Sequence, residues 1–364
     1  MSRAVCRRIL GAAAAILAAC TATAGAGGYD WHLPAGFPTP SVPADNPMSS
    51  AKVELGRRLF FDKRLSVTGN YACASCHRPE LAYTDGRARS VGANGDPLRR
   101  AAPSLANAAY APAYTWADPS VVSLEAQMRQ PLFNAHPVEL GLGGNEVRVL
   151  AELAADAVYQ PLFAQAFAGE SPSLTTDHVI KAIAAFERTL ISGRSPFDRY
   201  VFDDARDALS PAAKRGMALF YSPHIGCANC HFGLNFSGPL VFEGHPQAAA
   251  IYANTGLYDI DGHGSYPASD QGLIEITHHR RDMGRFRVPT LRNIALTAPY
   301  MHDGSEATLE AVLDHYAAAS FDGHVHVNSL KDPRLHPFIL SADMKQDLLE
   351  FLRSLTDPTF VRTP

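Results

Sequence analysis

The sequence carries no excess of charge of either sign: 32 Lys and Arg stand against 36 Asp and Glu, a formal net charge of −4 over 364 residues. Without a basic surface it lacks the electrostatic footprint of a nucleic-acid binder. Long apolar runs are missing too. Residues 9–19 form one short run, and no second stretch of about 18 apolar residues follows, so the body of the chain reads as soluble rather than membrane-spanning. Strand-like alternation is nearly absent. With 27 Gly and 26 Pro the chain is too poor in both to be collagen-like or low-complexity, yet rich enough for long ordered loops. A hydrophobic content of 46 % excludes disorder. Tryptophan occurs twice, at 31 and 116, and cysteine six times, at 6, 20, 73, 76, 227 and 230. The last four fall into two matching pairs.

Residues 1–26 read as an export signal. Arg3, Arg7 and Arg8 form a positive start and the apolar run follows. Leu17-Ala18-Ala19-Cys20 looks like a lipobox, which predicts a lipid anchor through Cys20; ordinary cleavage near Ala24 or Ala26 is the other reading. Either places the mature protein in the bacterial periplasm. Residues 27–47 read as an extended leader rich in Pro and Gly.

At roughly 150 residues per domain, this length suggests about two domains. The pattern agrees, because it repeats. Ser49 and Ser50 cap a helical segment with Leu55, Leu59 and Phe60 apolar, and Cys73-Ala74-Ser75-Cys76-His77 follows. Ser210-Pro211 opens a second helix with Met217, Leu219 and Phe220 apolar, followed by Cys227-Ala228-Asn229-Cys230-His231. Gly56-x-x-Leu59-Phe60 matches Gly216-x-x-Leu219-Phe220. Each half closes with a further predicted helix, over 177–190 capped by Thr176 and over 344–355 capped by Ser341. The expected fold class is all-α, with two c-type cytochrome domains joined by long ordered loops: 48–200, and 205–360.

C-x-x-C-H is the attachment signal of c-type haem. The two thiols bond the haem vinyl groups and the adjacent His reaches the iron. A zinc site would need a compact tetrahedral set, and a disulfide framework would not place His directly after each second Cys. Cys73, Cys76 and His77 are therefore expected to hold one haem c, and Cys227, Cys230 and His231 a second. What faces each iron from the opposite side then sets the chemistry.

Over nearly all of its mature length the chain resembles the bacterial di-haem cytochrome c peroxidase and MauG superfamily. The resemblance rests on Gly56–Asp62 with Leu65-Ser66, Pro103–Asn107, Leu124-Glu125-x-Gln127-x-x-x-Pro131, the two C-x-x-C-H segments, and Val288–Asn293 running on to Gly304 and Thr308-Leu309-Glu310. Where resting peroxidases of the family often carry a distal His, this chain has Ala93, and no His lies between His77 and His136. That departure implies an open position at the first haem, where hydrogen peroxide reacts. The alignment puts Gln127, Pro131 and Glu139 there, with Glu139 moving a proton between the peroxide oxygens. At the second haem the peroxidases carry Met eight residues after the Thr of Thr-Leu-Glu; the position here is Tyr316, as in MauG-like enzymes, with Met301 the rival ligand. Trp116 matches an inter-haem tryptophan that relays charge. The carbonyls of Thr297 and Pro299 match a calcium site whose Asn is replaced by Ala101, with Asn107 as a substitute.

Asn254–Tyr258, Tyr266-Pro267, Gly272-Leu273-x-Glu275, Asp282–Arg287, Trp116-Ala117-x-Pro119 and Pro131–Gly141 resemble the MbnH-like branch, whose di-haem enzymes belong to methanobactin operons. That branch implies a periplasmic oxidase that forms a bis-Fe(IV)-like state with peroxide. It then oxidises a tryptophan of an MbnP-like partner, docked near the second haem, to kynurenine by long-range electron transfer. The alternative is a cytochrome c peroxidase fed by a small cytochrome or copper protein.

Overall fold

A computed structural model describes residues 29–318 and 328–362. The export signal and the lipid anchor at Cys20 lie outside the described residues.

Two helix pairs organise the chain. Ser50–Phe60 starts where the Ser49 side chain accepts from the Lys52 N–H, and it packs against Thr176–Glu187, capped by Thr175. Pro211–Phe220, capped by Ser210, packs against Ala342–Arg353, capped by Ser341. Both pairs cross at a glycine. A Cβ on Gly56 would sit 1.9 Å from the Ala182 carbonyl oxygen, and one on Gly216 would sit 1.9 Å from that of Asp347. Only a residue without a side chain lets the backbones approach so closely. Phenylalanines lock each crossing, Phe60 on Phe186 at 5.2 Å between ring centroids and Phe220 on Phe351 at 5.1 Å. Around them lie two buried apolar clusters, one from Leu55 to Leu190 and one from Phe197 to Leu355.

A second repeated device holds the loops. Asn107 and Asn293, both fully buried, sit in the left-handed region at φ 59° and 60°. Asn107 accepts from the Ser192 N–H and donates to its carbonyl; Asn293 donates to the Ser192 hydroxyl and accepts from the Asp357 N–H. Ser192, in the connection between the halves, is thus tied to both. The leader is fastened as well: the Tyr110 hydroxyl donates to the Pro38 carbonyl and the Glu243 N–H to that of Thr39.

The all-α expectation is corrected by the structure. Helices, short 3-10 turns included, take 36 % of the described residues. Tyr252–Ala253 pairs antiparallel with Phe286–Arg287, and isolated bridges such as Arg78 with Thr84 close several loops. The fold is mixed. Long irregular segments wrap two cavities, and their backbone groups are satisfied by turns and loop-to-loop bonds rather than by helical ladders. Strands of two residues leave no period to detect in a sequence. Among the described residues no helix is long and apolar enough to cross a membrane.

Candidate functional site

Each C-x-x-C-H segment sits on the wall of its own cavity. In the first, Cys73–Cys76 form a single helical turn and His77 follows. His77 Nδ1 lies 2.8 Å from the Tyr83 carbonyl, which assigns Nδ1 as the donor and leaves Nε2 with a free lone pair. That carbonyl is aimed by left-handed backbone at Ala82 and Tyr83, and Ser104 Oγ donates to the Ala82 carbonyl at 2.6 Å. The second seat repeats the plan. His231 Nδ1 lies 2.8 Å from the Phe236 carbonyl, Phe236 is left-handed, and Thr290 Oγ1 donates to the Asn235 carbonyl at 2.8 Å. Burial lowers both imidazoles, keeping them neutral and able to ligate.

The cavity at His77 has a volume of about 550 Å³, and that at His231 about 190 Å³. No disulfide joins these four cysteines, and burial pushes the Cys76 and Cys227 thiols up to about 12. Among the described residues no group of three or more His, Cys, Asp or Glu gathers as a metal site. Two thiols and one free imidazole nitrogen at a cavity wall, twice over, suit covalent haem and leave no set for tetrahedral zinc.

The residues expected opposite His77 line the first cavity. Gln127 and Pro131 come from the helix Leu124–Phe133, and Glu139 from the loop behind it. That loop folds back on the helix end: Leu140 N–H donates to the Pro131 carbonyl at 2.8 Å and Leu142 N–H to that of Leu132 at 2.7 Å. Burial pushes the Glu139 carboxyl up, and a hydrogen bond with the Asn134 side chain partly opposes this. Ala93 does not line the cavity; its N–H donates to the Glu139 carbonyl at 2.7 Å, so its segment braces Glu139 from outside. His136 does line the cavity, from an exposed position at its rim.

Tyr316 lines the second cavity from the helix Leu309–Ala318, on one stripe with Leu309, Val312 and Leu313. Burial, then the neighbouring thiols of Cys230 and Cys227, push its phenol well above the ordinary tyrosine range. A phenolate there requires a cation beside it. Trp116 lines both cavities, as Met301 and Arg287 do. Its indole N–H donates to the Ala101 carbonyl at 2.9 Å, and its own carbonyl accepts from the Arg287 N–H at 2.7 Å.

Thr297 and Pro299 line the first cavity, but the side chain that would complete a calcium site is missing. Asn107 cannot substitute for it, because its oxygen and its nitrogen are both committed to Ser192.

One residue at the first cavity was not foreseen. Glu187 is 3 % exposed and faces the cavity, and its Oε2 has no hydrogen-bond partner among the described residues. The glycine crossings align the two closing helices, and Leu352 is the counterpart of Glu187, lining the second cavity. Burial pushes the Glu187 carboxyl up to about 8, so the folded state keeps a proton that the unfolded chain loses in the ordinary carboxylate range. The penalty is absent at acid pH and grows as pH rises toward about 8. Glu187→Leu is therefore expected to stabilise the protein by about 1–3 kcal/mol more at neutral than at acid pH, the linkage cost of a carboxyl pKa raised by burial. Thermal unfolding across that pH range measures it; a gain independent of pH contradicts it.

Two C-x-x-C-H cavities sharing one tryptophan define a c-type di-haem protein. A family model described as di-haem cytochrome c peroxidase matches residues 50–206. The chain is 37 % identical to the methylamine utilization protein MauG of Methylorubrum extorquens over 351 residues, 95 % of this chain and 91 % of that one. It is 36 % identical to the cytochrome-c peroxidase IdrP1 of Denitromonas iodatirespirans, over 95 % of this chain and 93 % of that one. Among solved structures, a MauG-like protein associated with microbial copper homeostasis superposes with a TM-score of 0.87 at 44 % identity, covering 92 % of this chain and 97 % of that one. The chain belongs to the di-haem cytochrome c peroxidase and MauG family and is a haem-dependent oxidoreductase.

Proposed function

We propose that this chain is a MauG-type, protein-modifying oxidase of the periplasm. With hydrogen peroxide as oxidant it withdraws electrons from a tryptophan of a docked MbnP-like partner; two peroxides take up the four electrons, water supplies the two oxygens added across the opened indole ring, and hydrolysis then releases formate to leave kynurenine. Cys73, Cys76 and His77 hold one haem c, and Cys227, Cys230, His231 and Tyr316 hold the other. When bound, the haem irons supply the two-electron reduction of peroxide.

The observation that carries the reading is Tyr316, a phenol lining the same cavity as His231. A hard, anionic oxygen ligand favours higher oxidation states, where a thioether would favour lower ones. A haem held by His231 and Tyr316 would then favour keeping an oxidising equivalent over receiving electrons. Glu139, braced by the Ala93 N–H at its carbonyl, carries the proton between peroxide oxygens, with Gln127 and Pro131 shaping that face. Trp116, on the wall of both cavities, passes charge between them. Similarity to the MauG-like protein associated with microbial copper homeostasis supports a partner in copper handling. Export through residues 1–26 and a tether at Cys20 belong to the proposal; calcium does not, since the carbonyls of Thr297 and Pro299 lack side-chain partners.

Incubation of the haem-loaded enzyme with peroxide and the proteins encoded beside it, followed by mass spectrometry, tests the reading. Peroxide-dependent oxidation of a tryptophan on one of them is the expected result. If none is modified while a small cytochrome or copper protein is oxidised in step with peroxide, the enzyme is an electron-fed peroxidase instead.

A further inference from the structure

The segment Asn254–Tyr258 and the pair Tyr266-Pro267 set this chain's branch apart, and the mechanism above does not use them. In the structure Thr255, Leu257 and Tyr266 of these segments line the second cavity. Tyr266 is buried and lines the cavity with Leu257, His302 and Tyr316. Trp116 packs on the same apolar cluster. Tyr258 meets Tyr266 edge-on, with ring centroids 5.4 Å apart and planes at 76°. Unlike Tyr266, Tyr258 is partly exposed, two residues before Ile260, which is 64 % exposed.

The two phenols have different partners. The Tyr258 hydroxyl donates to Asp303 Oδ2 at 2.5 Å, and the other oxygen of this buried carboxylate accepts from the Ser305 N–H at 3.1 Å. The Tyr266 hydroxyl donates to Asn254 Oδ1 at 2.9 Å. A carboxylate takes a proton; an amide oxygen does not. Oxidation of Tyr266 would therefore leave a charged radical in a buried apolar cluster, which is costly. Oxidation of Tyr258 can deliver its proton across a bond already formed.

We propose that Tyr258, with Asp303 as its proton acceptor, is the surface station where the enzyme exchanges single electrons with its protein partner. It rests on the functional reading in taking peroxide as the oxidant, haem as the inner acceptor and a docked protein as the electron source, but not on that protein's residue being modified. In the outward step Tyr258 loses one electron, which passes inward across Tyr266 to the haem cofactor. The phenolic O–H bond breaks, and its proton moves to Asp303 Oδ2, leaving a neutral tyrosyl radical beside a neutral carboxylic acid. The partner's residue then gives one electron to Tyr258, the proton returns, and the O–H bond re-forms. Two such passages supply the two electrons that one hydrogen peroxide takes up, with two protons, in becoming two waters. Tyr266 acts as the bridge and Tyr258 as the resting place, because only Tyr258 has a base.

The test is freeze-quench electron paramagnetic resonance of the haem-loaded enzyme mixed with hydrogen peroxide, with no partner present. The expected signal is a tyrosyl radical that narrows when the enzyme is made with ring-deuterated tyrosine. It falls at least about tenfold in Tyr258→Phe and in Asp303→Asn, and it returns in Asp303→Glu, which restores the base. Resting haem spectra confirm that each variant is folded and loaded. A signal unchanged in Tyr258→Phe, or no tyrosyl signal in the unmodified enzyme, overturns the station and leaves Tyr258–Asp303 a structural tie. Because the sample contains no partner, the outcome is independent of whether any protein is modified. A radical at Tyr258 here, together with no modified protein in the mass-spectrometric experiment, would sink the oxidase reading and keep Tyr258 as the station serving a small redox protein.

Discussion

Replacing Glu139 by Gln is expected to slow the reaction of the haem-loaded enzyme with hydrogen peroxide by about 10²–10⁴-fold, the usual contribution of a positioned acid–base group. Glutamine keeps the size and most of the hydrogen bonding but cannot take up and return a proton. The pH profile separates this from a steric effect. As the acceptor of the first proton, Glu139 must be ionised, so the rate falls as pH drops through its pKa. Burial has raised that pKa, so the acid limb lies above the ordinary carboxylate range. Stopped-flow absorbance against pH should show the limb in the native enzyme and a flat, slow profile in the variant. A variant within a few-fold of the native rate, or one that keeps the limb, would move the proton-transfer role elsewhere, with His136 at the cavity rim the next group to examine.

Tyr316→Met should abolish oxidation of the partner protein. The identity of an axial ligand shifts haem potentials over about 0.8 V, while a tenfold change in a one-electron equilibrium needs only about 60 mV. Exchanging phenolate for thioether thus costs many powers of ten in the population of any high-potential state at the second seat. Methionine fits the stripe that Leu309, Val312 and Leu313 share with Tyr316, so the helix should be retained. Mass spectrometry of the partner after peroxide treatment reads the effect. Retained modification would mean that Tyr316 is a packing residue.

Much of this arrangement was legible in the sequence because it is written locally. A C-x-x-C-H seat, a serine cap at 49, 210 or 341, and a glycine followed by Leu-Phe at a helix crossing each occupy a few consecutive residues. Helix starts were readable to within two residues: the cap expected at Thr176 is Thr175, and the helix expected from 344 starts at Ala342. Features that depend on what meets a residue in space were not legible. Glu187 adjoins the apolar stripe of Val179, Ile183 and Phe186, and nothing in that spacing tells that its carboxyl turns into the first cavity. Asn107 reads as a spare ligand until its side chain is found spent on Ser192. The all-α expectation failed because helices announce themselves by period, whereas a sheet of two residues per strand does not. Tyr258 and Asp303 lie 45 residues apart in sequence, and only the fold brings them together.

The account depends on the two haem seats being unlike on their open sides, with an oxygen of Tyr316 facing His231. Resonance Raman spectroscopy of the oxidised, haem-loaded enzyme tests this most directly. The account predicts iron-bound phenolate bands that shift when tyrosine is ring-deuterated and vanish in Tyr316→Phe. Spectra without such bands, or bands that persist in Tyr316→Phe, would contradict it.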